Sequence, residues 1–363
     1  MVLIIRYLAV ALALAFLLLF AAPAAQAEAP QTSAAACALL CEDGSFVYEV
    51  NADSRLLIAS TTKLMTALVS LENAAPEETV RIPKDGYAVE GSSMYLIPGE
   101  RYTLRELLLG LLLASGNDAA LALAEHVGGS VEGFVRLMNR RAEALGLTNT
   151  HFENPHGLDA PGHYSSARDL ARLMLCCLEN PAFRALCAKR SAEVKGLTLL
   201  NHNKLLAICP GCCGGKTGYT RAAGRCLVSC CEREGLRAVC VTLGDPDDWN
   251  DHIRLYDWLY ARYRLRDLGT ELSFPVPVVS GSRALVCAAP APGTKLLLPK
   301  DGAAELRAEL PRFVFAPVGA GEWAGSLEIR VAGQQPLRLP LLYREEAVLA
   351  APCMAGWNGG ILP

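Results

Sequence analysis

The hydrophobic period of this chain changes twice, and those two changes restrict its fold more than any other feature. A loosely alternating stretch over 38–50, turning at Glu42-Asp43-Gly44, gives way to apolar residues at helical spacing. Helices are predicted over 60–74, 103–114, 118–127, 131–145 and 167–178. Thr103 with Glu106, and Ser166 with Asp169, have the capping-box spacing, in which a hydroxyl and a carboxylate satisfy the free N–H groups of a first turn. Past Gly214 the period drops to two in 225–231 and 237–243, a hairpin turning at 232–235, and a helix over 249–262 closes this unit. From Phe274 to Arg344 helical periodicity nearly vanishes, and Leu327, Ile329 and Val331 alternate with Glu328 and Arg330. The expected fold is therefore α+β: an antiparallel sheet with helices clustered around it, followed by a small all-β C-terminal domain.

The domains are expected at 28–267 and 268–345, with a tail over 346–363. That tail holds Pro352, Gly356, Gly359, Gly360 and Pro363, a composition that disfavours an amphipathic anchor helix. Residues 1–27 read as an export signal. They carry Arg6, an apolar run from Leu8 to Phe20 and the small-residue exit Ala25-Gln26-Ala27. A retained helix, which would hold the protein at a membrane, is the alternative. With 363 residues, 52% of them hydrophobic, the chain can bury a sizeable core. Thirty-four Lys+Arg against 37 Asp+Glu gives no electrostatic basis for a nucleic-acid partner.

Fourteen cysteines would suit a disulfide framework in an exported chain, but such frameworks serve small domains that lack a core. Adjacent pairs such as Cys176-Cys177, Cys212-Cys213 and Cys230-Cys231 cannot readily bridge within themselves. Cys226, Cys230 and Cys240 lie in apolar strand-like runs and are expected to fill core as small hydrophobes. Cys209-Pro-Gly-Cys212-Cys213 has a zinc-knuckle spacing, yet no second pair and no His at ligand spacing follows. Neither a metal nor a cofactor is expected.

Three short elements carry chemistry. Ser60-Thr-Thr-Lys63 opens an apolar helix, and its spacing puts hydroxyl and amine on one face. A lysine desolvated by its surroundings can be neutral enough to take a serine proton, and a helix N-terminus stabilises the resulting oxyanion. Ser115-Gly116-Asn117 falls in a tight turn between two helices. Gly214-Gly-Lys216-Thr217-Gly218 precedes a strand, not a helix, and lacks the phosphate-loop spacing. Its glycines would let a substrate backbone approach an edge strand, where Lys216 and Thr217 offer a cation and a hydroxyl to a carboxylate. Asp118 is read as the N-cap of the helix it opens. His156 and His163 are read as hydrogen-bonding staples of a loop rich in Gly, Pro and Asp.

In order and context these three elements resemble those of the penicillin-recognising serine acyl transferases. Asn154-Pro-His-Gly-Leu-Asp159, Gly162-His-Tyr-Ser-Ser-Ala-Arg-Asp-Leu170 and Lys216-Thr-Gly-Tyr-Thr220 resemble, more narrowly, the low-molecular-mass penicillin-binding proteins, the D-alanyl-D-alanine carboxypeptidases. Ala316-Pro-Val and Gly321-Glu-Trp-Ala-Gly325 look like that family's small β domain. The resemblance implies a β-lactamase/transpeptidase-like catalytic domain. It further implies a nucleophile at Ser60, a base at Lys63, a proton-relaying hydroxyl at Ser115 and a substrate amide contact at Asn117. Lys216 and Thr217 would grip the terminal carboxylate. The N–H groups of Ser60 and of Tyr219, which follows Gly218, would form the oxyanion hole; Tyr219 departs from the His often found there. The implied partners are peptidoglycan stem pentapeptides and β-lactams, met outside the cytoplasm. A β-lactamase is the nearest rival, but the residues around Glu153 do not reproduce the E-x-x-L-N pattern of class A enzymes. A catalytically idle wall-binding protein is the second.

Overall fold

Both ends of the chain's first folded unit meet in one sheet. The computed structural model describes residues 29–301, 304–331 and 335–350, so the signal segment 1–27 and residues 351–363 of the tail lie outside the described residues. Strands β1 (Ala36–Cys41) and β2 (Phe46–Val50) form the opening hairpin. A 3₁₀ turn, Ala59–Thr62, leads into α1 (Lys63–Asn73). The short pair β3 (Thr79–Arg81) and β4 (Arg101–Thr103) brackets a long excursion before α2 (Leu104–Leu112), α3 (Asn117–Gly128) and α4 (Val131–Ala144). Next come α5 (Ala167–Cys177), α6 (Pro181–Cys187), the hairpin β5 (Ser191–Val194) and β6 (Leu197–Leu200), and α7 (Leu205–Ile208). The unit is completed by β7 (Cys212–Thr220), β8 (Gly224–Arg233), β9 (Leu236–Leu243) and α8 (Asp248–Arg262).

The sheet order is β2-β1-β9-β8-β7, antiparallel throughout, so β7 is an edge strand. Both faces are buried, and the alternation of β1 shows why. Ala36, Ala38 and Leu40 join the core under helices α1 to α6, whereas Cys37, Leu39 and Cys41 face Leu255, Tyr256, Leu259 and Tyr260 of α8. Burying both faces requires short apolar side chains in both registers, and cysteine supplies them. Cys226 and Cys230 fill one face and Cys240 the other, all fully buried, as expected.

One of the two expected capping boxes forms in full. Thr103 and Glu106 make the reciprocal box, and the Ser166 hydroxyl accepts from the Asp169 N–H. Asp169 departs from the box, because its carboxylate instead accepts from Asn149 N and the Thr150 hydroxyl. Beyond α8, β10 (Tyr263–Asp267) and α9 (Leu268–Glu271) precede β11 (Phe274–Val279), β12 (Leu285–Ala289), β13 (Lys295–Pro299) and β14 (Ala304–Glu309). After β15 (Val314–Phe315), the paired strands β16 (Trp323–Val331) and β17 (Leu337–Tyr343) complete this β domain. Its six-stranded sheet, ordered β14-β16-β17-β12-β11-β15, closes over a separate core that includes Val276, Val286, Leu327, Ile329 and Leu341.

Candidate active site

Ser60 stands in the 3₁₀ turn, one residue after Ala59, whose φ of 45° is left-handed. The sequence pattern placed Ser60 in the α-helix itself. The turn forms instead because the Thr61 and Thr62 hydroxyls bind the carbonyls of Ile58 and Ala59, at 2.6 and 2.8 Å, and compete with helical bonding. Lys63 then begins α1 fully buried. Its Nζ donates to Ser60 Oγ at 2.8 Å, to Asn117 Oδ1 at 2.7 Å and to the His156 carbonyl at 2.6 Å. Burial, helped by the nearby charge of Lys216 and opposed by Asp118, holds the Lys63 amine well below its ordinary pKa of 10.5.

Ser115 lies between α2 and α3 with a φ of 61°, a second left-handed non-glycine residue at the cleft. Lys216 Nζ donates to Ser115 Oγ at 3.0 Å and to the Thr217 carbonyl at 2.8 Å, and burial lowers its pKa to about 7. Thus two hydroxyls each accept from a buried lysine in one cleft. Lys216, Thr217, Gly218 and Tyr219 lie within edge strand β7, in keeping with the edge-strand reading, although the strand begins before the glycines and not after them. Gly214 and Gly215 mask the start of that strand by removing its alternation. At Gly218 a β-carbon would come within 3.0 Å of both Ser60 N and Ile58 O, so only glycine lets the strand lie this close to the serine turn.

Asn117 is the first residue of α3, not part of a free turn. Its amide nitrogen donates to the Glu90 carbonyl at 2.6 Å while its oxygen accepts from Lys63. Asp118 is not the N-cap, a place held by Gly116. Its carboxylate accepts from Met94 N, Leu96 N and the Ser93 hydroxyl, pinning the β3–β4 excursion beside the cleft.

The two histidines are staples, as read. His163 Nδ1 accepts from Glu153 N at 3.0 Å, which leaves the proton on Nε2 to donate to Thr62 Oγ1 at 2.7 Å. His156 Nδ1 accepts from Leu158 N at 3.2 Å. Burial lowers both imidazoles to about 4, so both are neutral at physiological pH. The Glu153 carboxylate accepts from Gly162 N.

The cleft, about 490 Å³, is lined by Ser60, Ser115, Thr217, Gly218 and Tyr219 together with residues the sequence reading missed: Ser92, His202, Arg225, Asp248 and Trp249. Arg225 was legible only as a strand position. Opposite Tyr219 in the β7–β8 pairing, it bonds Asp248 at 2.6 Å and lies over the Trp249 ring. His202 sits in a polar loop that carries no periodic signal. Among the described residues no group of three His, Cys, Asp or Glu is arranged to hold a metal, so the zinc-knuckle spacing at Cys209 assembles no such site there.

A buried lysine on a serine, a second lysine on a second hydroxyl and a glycine-bearing edge strand define the class of serine acyl transferases. The D-alanyl-D-alanine carboxypeptidase family model, Peptidase S11, matches residues 23–247. The chain belongs to that family. It is 31% identical over 323 residues to D-alanyl-D-alanine carboxypeptidase DacF of Bacillus subtilis (strain 168), covering 84% of this chain and 83% of that protein. Against DacC of Escherichia coli (strain K12) the identity is 32% over 358 residues, with 91% and 89% covered. The fold matches that of penicillin binding protein 5 from Haemophilus influenzae with a TM-score of 0.75 at 27% identity, covering 88% of this chain and 98% of that one.

Proposed function

We propose that this protein is a serine D-Ala-D-Ala carboxypeptidase that removes the terminal D-alanine from peptidoglycan pentapeptide stems through an acyl-enzyme on Ser60. The observation that carries this reading is the 2.8 Å bond between Ser60 Oγ and Lys63 Nζ, the amine being buried and depressed in pKa. Once neutral, Lys63 keeps two N–H bonds, to Asn117 Oδ1 and the His156 carbonyl, and its lone pair takes the Ser60 proton as Oγ attacks the carbonyl of the penultimate D-alanine. Ser115 passes a proton to the leaving D-alanine, with Lys216 fixing its hydroxyl. The N–H groups of Ser60 and Tyr219 receive the oxyanion; Lys216 and Thr217 hold the terminal carboxylate beside Gly218. Asn117 turns its amide toward the peptide once substrate displaces its present partners. Water then hydrolyses the acyl-enzyme.

β-Lactams would acylate the same serine and leave slowly, since Glu153 binds a backbone N–H of its own loop. A wall substrate places the reaction outside the cytoplasm, which agrees with the export signal read in residues 1–27. The division into a catalytic domain over 28–267 and a β domain over 268–345 belongs to the same reading.

The test is intact mass of the protein with and without excess penicillin, followed by D-alanine release from a peptide ending in D-Ala-D-Ala. One adduct, absent in Ser60→Ala, together with D-alanine release is the expected result. An adduct gone within seconds would indicate a β-lactamase, and no adduct would overturn the acyl-enzyme.

A further inference from the structure

The first two residues of β7, four and three positions before Lys216, are cysteines, and β8 presents two more opposite them. Cys212 pairs with Cys231 and Gly214 with Cys230, leaving Cys213 as the extra residue of a bulge. The Cys213 and Cys230 sulfurs stand 3.0 Å apart, closer than even two carbons pack without a bond (about 3.5–4.0 Å). Cys213 is partly exposed and Cys230 is fully buried.

We propose that Cys213 and Cys230 form a redox-active pair that closes into a cross-strand disulfide, tying edge strand β7 to β8 just before Lys216. The oxidant is a disulfide, either a small molecule or a protein dithiol carrier. The Cys213 thiolate attacks one sulfur of that disulfide and expels the other half, which takes up a proton. Cys230 then loses its proton and attacks Cys213 in the mixed disulfide, expelling the second half. Two electrons and two protons pass to the oxidant, which leaves as two thiols.

The roles follow from the surroundings. The hydrogen bond from Cys230 lowers the Cys213 pKa, and Arg237 adds to this while burial opposes it. The same bond, and burial, raise that of Cys230. Cys213, the less buried of the two, is thus the better thiolate, and the enclosed Cys230 is already in contact to resolve the intermediate. Because β7 pairs with β8 alone among the described strands, a cross-link here fixes the edge that carries Lys216, Thr217 and Gly218.

The experiment reduces the exported protein, removes the reductant, exposes it to oxidised glutathione, quenches in acid and maps thiols by alkylation and peptide mass spectrometry. The expected product is a Cys213–Cys230 peptide, with two fewer alkylated thiols and a higher melting temperature than the reduced protein. Cys230→Ser should stop at a glutathione adduct on Cys213 and lose the melting shift. Penicillin acylation of each variant reports that it is folded. Wild-type protein with both thiols still alkylated, or with Cys213 joined to Cys187 or Cys212, would overturn the pair. So would a Cys230→Ser protein, still acylated by penicillin, whose Cys213 takes no glutathione.

Discussion

Lys63 is buried beside a second cation, Lys216, and burial together with that charge keeps its amine well below the ordinary lysine range. A base must be neutral to accept the Ser60 proton. Acylation should therefore rise with pH through the depressed Lys63 pKa and level off before pH 10.5, the value of an unperturbed lysine. Second-order rate constants for penicillin acylation across about pH 5 to 10 measure this. Lys63→Arg keeps a charge that cannot be removed, so it should slow acylation by about a hundredfold to ten-thousandfold. A profile still climbing at the top of the range would contradict a lowered amine.

Lys216 should cost the fold stability in return for its place in the cleft. Its folded pKa of about 7 lies below the ordinary 10.5. Between those values the unfolded chain binds the proton and the folded one does not, so stability rises with pH across that window. Below about 7 both states are charged and the full penalty remains. Lys216→Met should accordingly raise the melting temperature near neutral pH, by the equivalent of about 1 kcal/mol or more. The gain should shrink toward about pH 10, while carboxypeptidase activity is lost. A variant that melts lower than wild type at neutral pH would show that the bonds to Ser115 and Thr217 outweigh the buried charge.

Acid should unfold the protein through its neutral histidines. His252 is fully buried between α8 and the sheet, with Nδ1 2.7 Å from the Ser229 hydroxyl and Nε2 3.1 Å from that of Thr242. Burial lowers it to about 3, and His156 and His163 to about 4. The unfolded chain takes up these protons from about pH 6.5 downward while the folded one excludes them, so stability falls as pH falls from 6.5 toward 4. His252→Gln keeps a polar partner without that titration and should flatten the melting temperature across this window. An unchanged slope would place the acid sensitivity elsewhere.

Much of the site was legible because its chemistry sits at element starts, where sequence signals are strong. The Thr103 box fixed α2, and the end of α2 located Ser115. The Ser60–Lys63 spacing survived even though the 3₁₀ turn replaced the predicted helix start, because both geometries bring residues three apart together. What escaped notice lacked period or spanned distance. The edge strand was read, but its start at Cys212 was masked by Gly214 and Gly215, which interrupt its alternation. Helix α6 had a clear signal in Asn180-Pro181, whose side chain caps Ala182 N and Phe183 N, but its seven residues are too few to show periodicity. The pairing of β1 with β9 joins Ala36 to Leu243, and nothing local announces it. Asp118 was misread because its carboxylate serves a neighbouring segment, and only tertiary structure shows that segment is there.

Gly157 gives the sharpest test of how the loop of His156 supports the serine. Its φ is 90°, and a β-carbon there would overlap the carbonyl of Ala59, the residue before Ser60. The backbone of the loop thus rests directly on the backbone of the serine turn. In the same loop the His156 carbonyl accepts from Lys63, and Asp159 accepts from Thr220 at the end of β7. Gly157→Ala must both leave the left-handed region and push the loop off the turn, costing about 1–3 kcal/mol for the backbone alone. Displacing the His156 carbonyl also takes one of the three acceptors from Lys63. Penicillin acylation should therefore fall by about tenfold or more even in the fraction that remains folded. Acylation rates on protein confirmed folded by circular dichroism would measure this, and a wild-type rate would mean that the loop does not position Lys63.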